Sequence, residues 1–311
     1  MPEIRDLFST GIVVIDKPRG PTSHQVAAWV REIVNLPVGH AGTLDPGVSG
    51  VLVVMLGPAV RLAPLFLSTE KEYICIMRLH ADVDPARVRE IVGKFTGRIY
   101  QRPPKKSAVA RTLRIRTISV IDVLEICNRD VLLRVQCDAG TYIRSLCHHI
   151  GLALGCDAHM QELRRTRSGG FSEKDAHSLQ ELRDAAQAAR EGVTAPLRGM
   201  IIPVRDAVHG IPRVTVRDTA VDAVCHGAVL AGVGVLSMES FQKGDTVLVV
   251  TSCGDVVCLG EALVSSTAVV PGQNGLVIAP RVVLMRAGTY QRAWKKRSGI
   301  QSSSQRLAPQ Y

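Results

Sequence analysis

The chain reads as an α/β (α+β) protein in two parts, and three observations predict it. Up to about Arg205, continuous apolar runs such as Gly11 to Ile15 and VLVVML (51–56) alternate with stretches whose apolar residues recur at helical spacing. Beyond Pro203 the helical period gives way to short runs, VTV, TVLVV, VVCLGEALV and GLVIAPRVVLM, split by Gly and Asp turns, which is the pattern of a small β-rich domain. The length, 311 residues, suits about two domains at roughly 150 residues each. The expected division is 1–205, 206–290, and a basic, disordered polar tail over 291–311.

Taken in order, Gly11 to Ile15 predicts a buried strand that ends in the turn DKPRGP. Ser23 is placed to cap a helix in which Val26, Trp29, Val30, Ile33 and Val34 share a face, closed near Pro37. The segment GHAGTLDPGVSG then reads as a loop, and VLVVML as a second buried strand. YICIMRL (73–79) predicts a strand, and Asp84 with Pro85 predicts the cap and first turn of a helix carrying Val88, Ile91, Val92 and Phe95, with Gly97 at its end. Residues 118–126 and 131–137, around Asn128, Arg129 and Asp130, predict a hairpin. From Thr141 the period turns helical through Ile143, Leu146, Cys147, Ile150 and Leu154, and Ser178 with Glu181 makes a capping box for a helix through about Arg190. No internal repeat is evident.

Composition is ordinary for a globular protein, with 46% hydrophobic and 21% charged residues. Lys and Arg outnumber Asp and Glu by 38 to 28, a net charge of +10, so the surface is expected to attract polyanions, nucleic acid first among them. The eight cysteines are scattered without a C-x-x-C pair, which predicts buried free thiols in a reducing compartment. The N-terminus lacks the apolar core of a signal peptide, and no apolar run approaches the roughly 18 residues of a membrane span. A cytoplasmic protein without membrane contact is the expectation. Cys147, His148, His149, Cys156 and His159 match no usual zinc spacing, so neither a metal nor any other cofactor is expected.

The one segment that concentrates chemistry is HAGTLDPGVSG, which carries a single carboxylate, Asp45, among glycines and a proline. On its own an Asp-Pro is an ordinary turn former. Other motifs outweigh that reading. DKPRGPTSHQV (16–26), GHAGTLDPGVSGVL (39–52), KEYICIMRLH (71–80), YQRPPKKSAVARTLRIRTI (100–118), CDAGTYIRSL (137–146) and HMQELRRTRSGGF (159–171) follow one another in order. In this succession the chain resembles the pseudouridine synthases of the tRNA uridine-55 type and, more closely, their guide-RNA-dependent relatives, the archaeal homologues of dyskerin.

The resemblance implies a pseudouridine synthase fold with a mixed, largely antiparallel central sheet. It implies Asp45 as the catalytic carboxylate, Tyr73 as the base-stacking tyrosine and Arg144 as the arginine partnering the aspartate. It implies supporting roles for Lys17, Pro18, His40 and Tyr142 and an apolar contact from Leu163. These residue types suit the reaction. Pseudouridine formation breaks the bond from the sugar to N1 of uracil, turns the base and rejoins it through carbon 5. A carboxylate acts as nucleophile or stabilises a sugar-centred cation only when ionised, and a guanidinium at its side favours the charged form. A tyrosine offers a flat ring for the freed base and a hydroxyl to help move the carbon-5 proton.

Seven basic residues between Arg98 and Arg116 suggest phosphate contacts, and from this stretch Arg102, Lys105, Lys106 and Arg111 are the expected RNA-binding side chains. Arg164 and Arg165, beside Leu163, are expected to join them. VDAVCHGAVL, FQKGDTVLVV, CLGEAL and GTYQRAWKK (288–296) resemble the PUA-type RNA-binding domain shared by pseudouridine synthases and archaeosine transglycosylases. The resemblance therefore implies the catalytic subunit of an H/ACA guide-RNA ribonucleoprotein acting on rRNA or tRNA, with small protein partners docking on both domains. The alternatives are a stand-alone tRNA uridine-55 synthase and a non-catalytic RNA-binding assembly protein.

Overall fold

The computed structural model describes residues 10–102, 112–208 and 210–291. It divides into two compact units, Met1–Gly210 and Ile211–Tyr311. The tail expected at 291–311 lies outside the described residues from 292 onward.

In the first unit the described strands are β1 (Gly11–Lys17), β2 (Val38–Ala41), β3 (Ser49–Leu56), β4 (Lys71–Leu79), β5 (Gly97–Gln101), β6 (Arg114–Cys127), β7 (Asp130–Cys137), β8 (Ala158–Ser168), β9 (Phe171–Ser172) and β10 (Ala176–His177). They form one sheet in the order β10-β1-β3-β8-β4-β7-β6-β5, with β2 on β3 and β9 on β8. Only the β1–β10 and β3–β8 pairs run parallel, so the sheet is mixed and largely antiparallel. The helices are α1 (Ser23–Val34), α2 (Ala63–Leu67), α3 (Pro85–Gly93), α4 (Ile143–Leu154), α5 (Leu179–Arg190), α6 (Ala195–Met200) and α7 (Val204–Ala207).

The sheet supports two separate cores. Val26, Val30 and Val34 of α1 and Leu182, Ala185 and Ala186 of α5 pack on Val13, Ile15, Leu52, Val54 and Leu56. On the other half, Val88 and Val92 of α3 and Leu146, Cys147 and Ile150 of α4 pack on Cys75, Met77, Leu133 and Val135. Strict alternation along β4 and β7 puts every second side chain into that second core, the period a pleated strand imposes.

The halves meet at the parallel contact of β3 with β8, where only Ser49 with Arg164 and Gly50 with Arg165 are in register. Gly50 has φ +102°, and a Cβ there would fall 2.2 Å from the Arg165 carbonyl oxygen. A glycine is therefore required twice over at this seam, for its backbone angle and for the close approach.

Three expectations need correction. Thr22 rather than Ser23 caps α1, in a capping box with Gln25; the Ser23 hydroxyl is buried and bonded elsewhere. The start of the expected loop, Gly39–Ala41, pairs with β3 as part of the strand β2. Gly97 does not end α3, which stops at Gly93; with φ +102° it opens β5 instead. Thiol burial holds for Cys75, Cys137, Cys147 and Cys258, whereas Cys127 and Cys253 are exposed.

The second unit carries a six-stranded sheet of β11 (Arg213–Val216), β12 (Leu230–Ala231), β13 (Val235–Met238), β14 (Thr246–Thr251), β15 (Val256–Ala262) and β16 (Leu276–Val283), in the order β12-β16-β15-β14-β11-β13. One helix, α8 (Asp218–Cys225), closes its core of Val214, Val216, Val221, Val247, Val249 and Ile278. The buried Asp222 carboxylate accepts a hydrogen bond from the Gly288 N–H at 2.8 Å, tying the end of the chain's described part to α8.

Gly50→Ala is expected to cost at least about 2 kcal/mol of stability in urea unfolding, whereas Gly47→Ala, with open space at its Cβ, changes it by less than about 0.5 kcal/mol. Equal effects of the two substitutions would remove the steric argument for the seam.

Candidate active site

Asp45 lies between β2 and β3, at the seam of the two half-sheets. The loop that carries it is held at alternate residues. Leu44 is buried, and its backbone exchanges hydrogen bonds with the Ser23 hydroxyl, 2.8 Å from its N–H and 3.0 Å to its carbonyl. Val48 is buried in the same core, and its carbonyl accepts from Lys17 Nζ at 2.7 Å. The Pro46 carbonyl accepts from the Gly20 N–H at 2.8 Å. Between these anchors Asp45, Pro46 and Gly47 face outward, so the carboxylate is presented by a rigid strap.

Arg144 is the second residue of α4, whose apolar face of Ile143, Leu146 and Cys147 enters the core that also takes Leu44, Val48, Tyr73 and Leu163. Burial of that face points Arg144 at the loop. Its Nη2 lies 2.9 Å from Asp45 Oδ2, with 41% and 53% of the two side chains exposed. The start of α4 has no side-chain cap of its own; the buried Gln101 side chain instead accepts from the Tyr142 N–H at 2.9 Å and donates to its carbonyl at 3.1 Å. Gln101 is a site residue that the sequence did not single out, because a glutamine in a strand carries no positional signature.

Tyr73, on β4, is buried and is the cross-strand partner of Arg165 on β8. Burial pushes the Tyr73 hydroxyl above the ordinary tyrosine value, with Arg165 acting in the opposite direction, so the phenol stays neutral. Leu163 pairs with Cys75 on the neighbouring strand and shares the same core. His40 stands edge-on to His24 with ring centroids 4.8 Å apart and lies 3.3 Å from the Thr43 hydroxyl. Its imidazole is held below the usual value by burial, His24 and Arg165. Lys17 also donates to the carbonyl of Pro18 at 2.9 Å, and its burial lowers its pKa while the Asp45 charge raises it.

The RNA-contact expectations divide. Arg102 is exposed at the end of β5; Lys105, Lys106 and Arg111 lie outside the described residues. Arg164 is half-exposed and bonded to Asp16 and Glu173, which joins β1 to β8. Arg165 is corrected outright: only 1% exposed, it donates to the Val51 carbonyl at 2.8 Å and the Gly42 carbonyl at 2.7 Å. Neighbouring side chains on a strand point to opposite faces, so two adjacent arginines could not both face RNA. Among the described residues no group of three or more His, Cys, Asp or Glu could hold a metal ion.

A second unforeseen residue is Lys71. Its ammonium is buried and donates to the Phe66 carbonyl at 3.2 Å, the Thr69 carbonyl at 2.5 Å and the Thr69 hydroxyl at 2.8 Å. Burial, reinforced by the Arg165 charge, lowers its pKa to about 8.

Comparison with known proteins agrees with this arrangement. Residues 31–86 and 81–143 match the TruB family pseudouridylate synthase N-terminal domain, residues 144–209 the tRNA pseudouridylate synthase B C-terminal domain, and residues 212–284 the PUA domain. The chain belongs to the TruB family of pseudouridine synthases. Among its relatives, the "Probable tRNA pseudouridine synthase B" of Methanothermobacter thermautotrophicus is 48% identical over 300 residues, covering 94% of this chain and 93% of that protein. The protein of the same name from Methanopyrus kandleri is 48% identical over 294 residues, covering 94% and 87%. Among solved structures, the archaeal box H/ACA sRNP Nop10–Cbf5 complex matches with TM-score 0.82 and 41% identity, over 94% of this chain and 92% of that one. An H/ACA RNP bound to a substrate RNA containing 2′-deoxyuridine matches with TM-score 0.83 and 42% identity, over 94% and 90%. The TruB-family chain is thus an RNA pseudouridine synthase with a PUA domain, and its mixed sheet is that of the family.

Lys71 gives this synthase a measurable pH signature. Between pH of about 8 and 10.5 the unfolded chain retains a proton that folded Lys71 has released, so raising the pH favours the folded state across that window. Denaturation of wild type and Lys71→Met at pH 7, 8, 9 and 10 is expected to show the difference moving in favour of wild type as pH rises. A difference that is flat or moves the other way refutes the lowered pKa.

Proposed function

We propose that this chain is the catalytic subunit of an H/ACA guide-RNA ribonucleoprotein, converting uridine to pseudouridine in rRNA, and in tRNA, with Asp45 as the reacting carboxylate. The observation that carries the chemistry is the 2.9 Å pairing of the Asp45 carboxylate with Arg144. Cleavage of the C1′–N1 bond leaves the sugar electron-poor and the uracil anionic. An ionised carboxylate serves the first fragment, as a nucleophile at C1′ or as the base of an elimination, and Arg144 keeps it oriented. Tyr73 supplies the surface against which the freed base turns. Rejoining forms the C1′–C5 bond, the C5 proton leaves, and N1 gains one. One C–N bond is exchanged for one C–C bond with no change in oxidation state, so the reaction asks for no redox partner.

Guide dependence is supported by the chain-long similarity, at 41–45% identity, to H/ACA complexes solved with Nop10, Gar1 or substrate RNA. Small proteins of that kind are the partners we infer for this chain. The name shared by the relatives favours a second reading, a tRNA synthase that works alone. A target uridine in a paired stem must be everted to reach Asp45, and the basic surface offsets part of that cost by holding the flanking phosphates.

The assay that separates the readings mixes the purified chain with uridine-labelled tRNA and, separately, with guide RNA, target and partner proteins. Product only in the second mixture is expected; full turnover on tRNA alone supports the second reading. Asp45→Asn is expected to bind RNA within about 2-fold of wild type while losing at least about 10³-fold in rate, as removal of a covalent participant does. An active Asp45→Asn enzyme sinks the assignment, and binding insensitive to salt between 50 and 200 mM, roughly the range over which counterion release acts strongly, removes the phosphate argument.

A further inference from the structure

We propose that Arg165 is a positioning residue of this site, setting where the Asp45 loop begins and how Tyr73, its cross-strand partner, is seated. The inference rests on the reading of Asp45 and Tyr73 given above.

Three cations of the first unit, Lys17, Lys71 and Arg165, are between 0% and 3% exposed, and no carboxylate among its described residues is equally buried. Burying a charge without a counter-charge costs several kcal/mol, so each must be held by dense hydrogen bonding. The acceptors are backbone carbonyls and, for Lys71, also the Thr69 hydroxyl; apart from Pro18, those of Lys17 and Arg165 belong to the Asp45 loop and its flanks. Lys17 binds the downstream end at Val48, 2.7 Å away. Arg165 binds the upstream end at Gly42, 2.7 Å away, and reaches β3 at Val51, 2.8 Å away. Asp45 lies midway between the two clamps.

Gly42 is shaped for this contact. Its φ is +79°, and a Cβ there would lie 3.2 Å from Arg165 Nη1 and 3.5 Å from Lys71 Cε. Across the sheet Arg165 is paired in register with Tyr73, so the guanidinium's strand also carries the neighbour of that ring. One rigid fork thus joins β8, β3 and the start of the loop, with Tyr73 paired beside it, a geometry that a lysine's single ammonium cannot reproduce. The same charge is felt at Lys17, His40, Lys71 and Tyr73, which surround it. Arg165 is buried away from any substrate, so it acts through Gly42 and Tyr73.

The test uses the complete complex with guide, target and partner proteins, and compares Arg165→Met, Arg165→Lys, Tyr73→Phe, the double variant Arg165→Lys/Tyr73→Phe, and Asp45→Asn. Single-turnover rate, RNA Kd and Tm are read for each. Misplacement of about 1 Å costs roughly 10²-fold in rate, and that loss is expected for Arg165→Lys at a temperature where it is folded, with RNA Kd within about 2-fold of wild type. In the Tyr73→Phe background the further loss is expected to be at least about 5-fold smaller, because one of the side chains Arg165 seats is already altered. If Arg165→Met does not fold, Arg165→Lys, which keeps the charge, decides alone. A folded Arg165→Lys enzyme with the wild-type rate, a loss of RNA affinity in place of rate, or an equal loss in both backgrounds overturns the inference. Full activity in Asp45→Asn would overturn the reading of the site itself, which separates the two failures.

Discussion

Where β3 runs beside β8, the backbone of Gly50 passes so close to Arg165 that no side chain fits between them. The catalytic unit depends on that approach. On one side stand β1, β3 and the helices α1 and α5; on the other stand β4, β7, β8 and the helices α3 and α4, each with its own apolar core. Asp45 comes from the loop leading into β3, whereas Tyr73, Leu163 and Arg144 come from the other half. A seam between two independently packed halves brings carboxylate, ring and guanidinium together, and a longer side chain at residue 50 would part them.

Electrostatic magnitudes separate the charges that act from those that hold. The Asp45–Arg144 pair is about half exposed on both sides, and exposed ion pairs contribute roughly 0–1 kcal/mol to stability. Its value is therefore geometric, a carboxylate held in a fixed orientation at the surface of the seam. The buried Lys17, Lys71 and Arg165 are the opposite case, desolvated cations held mainly by carbonyls of the surrounding chain. They stiffen the frame. Arg164, one residue from Arg165, faces the other side of the sheet and links β1 to β8 through Asp16 and Glu173.

Much of the fold could be read from periodicity alone. Val26, Val30 and Val34 announce α1, alternation announces β4 and β7, and Ser178 with Glu181 announces α5, because each pattern is local and reports which face must leave water. Where the reading failed, a competing partner decided. Ser23 lost the cap to Thr22 because its hydroxyl is needed at Leu44, 21 residues away in sequence. Gly97 serves a strand because α3 had already closed at Gly93. The strand at Val38–Ala41 exists through its pairing with β3, not through any pattern of its own.

The order of short motifs along the chain was sufficient to name the family and to mark Asp45, Tyr73 and Arg144 as the candidates for its site, since residue identity and spacing are properties of the chain itself. Which charges are buried was decided only by tertiary structure. Arg164 and Arg165 look alike in sequence, yet the pleat sends one outward and the other beneath the loop; Lys71 and Gln101 look like surface residues until β4 and β5 carry them inward. Burial and hydrogen-bond partners depend on elements far apart in the chain, and no local pattern encodes them.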